Sequence, residues 1–180
     1  MVGGRRAYNT DVMGIAAALR EAGVDSPRSA VVLGAGGTAR AALAALRTLG
    51  LACAVVLVRD PARAGELLAA AERLGVAVDL EAGPVPPADL VISTLPAGAA
   101  DPLRPPAGAV VLDVVYAPWP TRFAAAATGT VVSGLAMLLH QAAAQVELMT
   151  GRPAPVAAMR AALDAAIRAR SEKPPAPAGA

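Results

Sequence analysis

The chain holds 180 residues with a net charge of +2, 56% hydrophobic content and a single cysteine, Cys53. That length fits one ordinary domain with a real core, and one cysteine excludes an internal disulfide or a cysteine-based zinc site. Mean hydropathy is +0.52, yet the alanine- and valine-rich apolar content is broken by Gly, Pro, Asp or Arg and never approaches the roughly 18 uninterrupted apolar residues of a bilayer span.

The amino terminus lacks a charged, apolar, small-residue leader pattern, so a cytoplasmic location with no membrane partner is expected. Arginines are scattered and aromatic content is 2%, which argues against a nucleic-acid partner. Thr10 or Asp11 is the expected N-cap of a helix running to Ala22 and stopped by Gly23. A strand follows at Ala30 to Leu33, then a crossover helix from Thr38 to Leu49. Ala52 to Val58 reads as the second strand, with Cys53 in the core, and Pro61 to Leu74 as a helix capped by Asp60.

Val76 to Leu80 alternates as a third strand, and Asp89 to Ser93 and Val110 to Asp113 are short apolar runs of the kind buried in a parallel sheet. Pro120 to Ala127 reads as a helix and Val131 to Ser133 as a sixth strand. Leu135, Leu138, Leu139, Ala142, Val146 and Met149 recur at helical spacing and mark one long amphipathic helix ended by Gly151; another runs from Val156 to Ala169.

This alternation implies an α/β fold, a doubly wound parallel six-stranded Rossmann-type sheet in the order 3-2-1-4-5-6 with a C-terminal helical pair. The organisation reads as a linker helix over residues 1–24, a dinucleotide-binding domain over 25–134, helices over 135–170 and a disordered, proline-rich tail over 171–180.

The first strand leads into Gly34-Ala35-Gly36-Gly37-Thr38-Ala39-Arg40, a Gly-x-Gly-x-x-Ala turn at a strand-to-helix junction. Gly34 makes the tight turn, Gly36 admits a pyrophosphate and Ala39 allows close helix packing, while the first helical N–H groups point at the anion. The second strand ends in Val58-Arg59-Asp60-Pro61-Ala62-Arg63. An acid there would bond the ribose 2′-hydroxyl of NAD; Arg59 and Arg63 can instead fork onto a 2′-phosphate, which favours NADP. Asp60 could itself bond a ribose hydroxyl. Ser93 and Thr94, at the carboxyl end of the fourth strand, are placed to line the nicotinamide side.

Four further residues have plain local readings. Asp11 could cap a helix, Gln141 could lie on the surface, Tyr116 could pack beside Pro118 and Trp119, and His140 reads as a bystander. No metal cluster is expected.

Together, Tyr8-Asn9-Thr10-Asp11-Val12-Met13-Gly14, the Gly34 to Arg40 turn, Val58 to Arg63, Ser93-Thr94-Leu95-Pro96, Asp113-Val114-Val115-Tyr116-Ala117-Pro118 and Gly134-Leu135-Ala136-Met137-Leu138-Leu139-His140-Gln141 resemble the shikimate dehydrogenase family. The resemblance runs to about residue 165 and is to the family's carboxy-terminal, nucleotide-binding portion in an actinobacterial-like version. It implies NADPH-dependent reduction of 3-dehydroshikimate to shikimate, in aromatic amino acid biosynthesis. It further implies that Asp11 is the catalytic aspartate, which pairs with a lysine. Asn9, Tyr116 and Gln141 would be substrate-binding, and Gly134 would lie at the cofactor.

The family carries that lysine in an amino-terminal substrate domain, and the one lysine here, Lys173, lies in the tail. The chain is therefore expected to bind NADP and to be incomplete as a catalyst, its small-molecule substrate being held with the missing domain. Two other readings are an NAD-using quinate/shikimate dehydrogenase, against which Val58 and Arg59 argue, and a noncatalytic nucleotide-binding or interaction module. The latter would expose apolar surface on the helices at residues 11–22 and 135–150, which could also drive a homodimer.

Overall fold

A computed structural model describes residues 7–171. The tail expected to be disordered, with Lys173, lies outside the described residues apart from Ser171, which ends the last helix.

The elements are α1 (Thr10–Glu21), β1 (Ala30–Leu33), α2 (Gly37–Thr48), β2 (Cys53–Leu57), a 3₁₀ turn (Pro61–Ala64), α3 (Gly65–Leu74), β3 (Ala77–Glu81), β4 (Leu90–Ser93), β5 (Val110–Asp113), α4 (Arg122–Ala125), β6 (Val131–Ser133), α5 (Gly134–Thr150) and α6 (Val156–Ser171). The six described strands form one sheet in the order β3-β2-β1-β4-β5-β6, and every pairing is parallel. That is the order read from the sequence.

β1 and β4 are fully buried, as continuous apolar runs between two covered faces should be. Val32, Val56, Ile92, Leu112 and Val132 point to one face and pack with α1, α2 and α3 and with Met137 of α5. Val31, Leu33, Val91 and Val111 point to the other, where Phe123 of α4 and Ala100 meet them. The two faces are covered unequally. Pro96, Gly98, Pro102, Pro105, Pro106 and Gly108 break the β4-to-β5 crossover into turns rather than a helix. α4 is one turn long, and it is held by Phe123, the one phenylalanine of the chain, fully buried; truncating such a side chain to alanine costs about 3–5 kcal/mol.

Four expectations need correction. Asn9, rather than Thr10 or Asp11, caps α1, its Oδ1 accepting the Asp11 N–H at 3.0 Å; its extended backbone and short amide side chain suit that task. Cys53 is exposed: it is the first residue of β2, and burial in that strand begins at Ala54. The helix expected from Pro120 to Ala127 shrinks to α4. Thr121 caps it, and at its far end Gly129 must pass so close to Ala109 that a Cβ would lie 2.3 Å from the Ala109 carbonyl oxygen. Finally, the helix expected from Pro61 begins as a 3₁₀ turn, with Asp60 Oδ1 accepting the Ala62 N–H.

No helix among the described residues is long and apolar enough to cross a membrane.

Candidate active site

The glycine turn, Arg59, Ser93, Thr94, Tyr116 and Gly134 lie at or just after the carboxyl ends of strands, on both sides of the β1/β4 boundary where the strand order reverses, which is where ligands of such sheets sit. Gly34 has φ +101, and a Cβ there would lie 2.9 Å from Thr94 Oγ1. The turn therefore needs glycine both for its backbone and for its space. Thr94 donates its hydroxyl to the Leu33 carbonyl at 2.7 Å and its N–H to the same carbonyl at 3.0 Å. Its side chain thus buttresses the glycine turn across the reversal point, a role no local pattern signals.

Gly36 is the N-cap of α2 and offers no side-chain cap, and a Cβ on it would meet nothing within 4 Å. The N–H groups of Gly37, Thr38 and Ala39 begin the helix beneath that open space, and orphan donors with a helix dipole behind them suit an anion. The packing role read for Ala39 fits its complete burial under the turn. Ala35 lies half-buried beside it.

Arg59, Asp60 and Arg63 are exposed at the end of β2. Among the described residues, neither guanidinium takes part in an ion pair. Arg40, one turn into α2, does: its Nη1 lies 2.5 Å from Glu66 Oε2 in the first turn of α3. That contact straps the glycine-turn helix to the helix behind Arg63. It escaped sequence reasoning because the partners are 26 residues apart.

Ser93 is 1% exposed and its Oγ has no hydrogen-bond partner. It faces inward beside Asp113 rather than onto open surface. Tyr116 is exposed, in the loop after β5 whose Ala117-Pro118 and Trp119-Pro120 bonds are cis.

α1 and α5 bring the remaining candidates together. Thr10 Oγ1 accepts from Gln145 Nε2 at 3.2 Å, and one turn earlier on α5 Gln141 abuts Gly14. Asn9, Asp11 and Gln141 therefore share one end of the α1–α5 seam. The Asp11 carboxylate is half-buried and, among the described residues, bonds to nothing, so it is not spent on capping. Gly134 starts α5 against β5: a Cβ there would lie 2.0 Å from the Val114 carbonyl oxygen. α5 is thus pinned two residues before Tyr116, and its 1.5 Å rise per residue sets Gln141 about 10 Å further along.

His140, read as a bystander, has a partner. Its Nε2 lies 2.8 Å from Glu21 Oε2, and Arg160 of α6 donates to Glu21 Oε1 at 2.6 Å. These contacts hold the Glu21 carboxyl below the usual glutamate range, the His140 hydrogen bond contributing most and desolvation opposing it.

A six-stranded parallel sheet in this order, with an uncapped glycine turn over its reversal point, places the chain in the Rossmann-type class of α/β domain. A family model described as the shikimate 5′-dehydrogenase C-terminal domain matches residues 134–163. The shikimate dehydrogenase (NADP(+)) of Moorella thermoacetica is 42% identical, the match covering 94% of this chain and 64% of that protein. The Halobacterium salinarum enzyme of the same name is also 42% identical, over 90% of this chain and 65% of its own length. The crystal structure of Mycobacterium tuberculosis shikimate dehydrogenase superposes with a TM-score of 0.76 at 42% identity, over 92% of this chain and 65% of that one. The chain is similar to the carboxy-terminal part of these shikimate dehydrogenases and spans less than two thirds of their length.

Proposed function

We propose that these residues form the NADP-binding part of a shikimate dehydrogenase. The observation that carries this reading is the uncapped start of α2 at Gly36, opening on the reversal point of the sheet with Arg59 and Arg63 unpaired at the end of the next strand. The turn from Gly34 to Ala39 holds the pyrophosphate on backbone N–H groups. Arg59 and Arg63 receive the 2′-phosphate through charge-assisted hydrogen bonds, and Asp60 lies within the same turn for a ribose hydroxyl. Thr94 keeps the glycine turn in place from below, and Gly134 lies toward the nicotinamide side.

NADPH, when bound, supplies a hydride to the carbonyl carbon of 3-dehydroshikimate, whose oxygen takes up a proton to give shikimate. Asp11, Asn9, Tyr116 and Gln141 face that substrate: Gln141 bonds a ring hydroxyl, and Asp11 orients the proton-handling group. The family's aspartate works with a lysine, and the chain's one lysine, Lys173, lies outside the described residues. We therefore propose that the 180 residues bind NADPH but turn over poorly without the substrate half found in the longer relatives. The exposed side chains of Met13, Leu138 and Met149 on α1 and α5 support a covered surface there.

Calorimetric titration of the purified chain with NADPH and, separately, NADH tests the reading. Clear preference for NADPH is expected; a folded chain that binds neither would overturn it. A family-like turnover of 3-dehydroshikimate by the 180 residues alone would refute the proposed incompleteness.

A further inference from the structure

Asp113 and Ser93 are register partners at the carboxyl ends of β5 and β4, and each is 1% exposed. Burying a carboxylate is costly unless its oxygens are bonded. Asp113 Oδ2 accepts from the Thr121 hydroxyl at 2.7 Å, and Oδ1 accepts from the Val115 N–H at 3.2 Å. Thr121, itself buried, accepts in turn from the Ala124 N–H at 3.0 Å.

One side chain thus ties both ends of residues 114–120 to the sheet. Between those ends, no residue from 116 to 120 takes part in a backbone–backbone hydrogen bond among the described residues. Yet this segment carries Tyr116, 51% exposed, and Trp119, 37% exposed. A segment with no internal backbone bonds takes its position from its anchors.

We propose that Asp113, acting through Thr121, is the positioning residue that presents Tyr116 over the carboxyl edge of the sheet. The role given to Tyr116 rests on the proposed function; the anchoring itself does not. Both oxygens of Asp113 act as acceptors, one toward each end of the segment. Asparagine can keep both contacts, its Oδ1 accepting the Val115 N–H and its NH₂ donating to the Thr121 hydroxyl oxygen, so alanine, which removes both, is the variant that tests the anchoring.

Trp119 is the one tryptophan of the chain and lies inside the segment, so its fluorescence reports the segment directly. Acrylamide quenching is measured on the full chain without cofactor for the wild type, Asp113→Ala, Thr121→Val, Thr121→Ser and Leu46→Ala. The last is a fully buried site of the opposite sheet face, which lowers stability without touching the loop. Asp113→Ala and Thr121→Val are expected to raise the quenching constant about twofold or more while circular dichroism stays native. Thr121→Ser and Leu46→Ala should keep the wild-type value. Native folds with wild-type quenching in Asp113→Ala and Thr121→Val overturn the proposal. If only one of the two folds, that one decides; if neither folds, the carboxylate holds the core rather than the segment, and the proposal is equally overturned. Failure of the wild type to bind NADPH would remove the proposed function and leave the quenching result standing.

Discussion

Gly14 of α1 and Gln141 of α5 meet so closely that a Cβ at position 14 would lie 3.0 Å from the Gln141 Cβ and 2.7 Å from the Met137 carbonyl oxygen. The obstacles are helix backbone and the root of a side chain, so neither can swing away. Gly14→Ala gains about 1 kcal/mol of helix propensity and loses about 1–3 kcal/mol to overpacking. A net loss of up to about 2 kcal/mol is expected, near 2–4 °C in Tm per kcal/mol for a chain of this size. NADPH affinity should stay within about twofold, because the glycine turn lies elsewhere. A Tm above that of the wild type would show that the seam has slack.

Gly134 allows less relief still. A Cβ would lie 2.0 Å from the carbonyl oxygen and 2.5 Å from the carbonyl carbon of Val114, both backbone of a strand end. Gly134→Ala is expected to cost about 3 kcal/mol or more, the range reserved for overpacking with nowhere to relax. Chemical denaturation checks it; a loss under about 1 kcal/mol would mean that α5 can slide away from β5.

The central strands were legible because a strand buried on both faces is a continuous apolar run, as Ala30 to Leu33 and Leu90 to Ser93 are. The strand order followed from the alternation of elements and the handedness of crossovers. The place of the glycine turn between β1 and α2, and of Arg59 and Arg63 just after β2, was legible because their spacing is local. The contacts that lock the edge together were not: Thr94 to Leu33 spans 61 residues and His140 to Glu21 spans 119. Thr121 illustrates the same limit at short range. Its capping role could be read from its residue type, whereas its bond to Asp113 depends on how the loop after β5 folds back.

The Glu21 cluster gives the chain an acid-side dependence of stability. Glu21 titrates lower in the folded state than its ordinary value, first because of His140 and then, against opposing desolvation, because of Arg160. Through that interval the unfolded chain binds more protons than the folded one, so stability rises with pH. The contribution is full above the unfolded glutamate value of about 4.3 and is lost as pH falls through the lower, folded one. The Glu21 side chain is 47% exposed, so solvent screening limits the effect to about 0.5–1 kcal/mol. Melting curves at stepped pH should show Glu21→Gln less stable than the wild type near neutrality, with the two converging in acid. Parallel curves across the whole range would mean that the cluster contributes nothing to folding.

Arg59 and Arg63 carry the sharpest expectation about the cofactor. Both are exposed, and neither is engaged in an ion pair among the described residues, so replacing them removes no internal contact of the fold. Hydrogen bonds from a guanidinium to a phosphate contribute about 1.5–3 kcal/mol each, toward the lower end on an open surface. Arg59→Ala and Arg63→Ala are each expected to weaken NADPH binding by about tenfold, and the double variant by less than the product, since both forks share one phosphate. NADH, which lacks the 2′-phosphate, should be bound by the variants as by the wild type. The difference between the two titrations is the informative quantity. Equal weakening of NADPH and NADH would mean that the arginines shape the turn rather than read the phosphate.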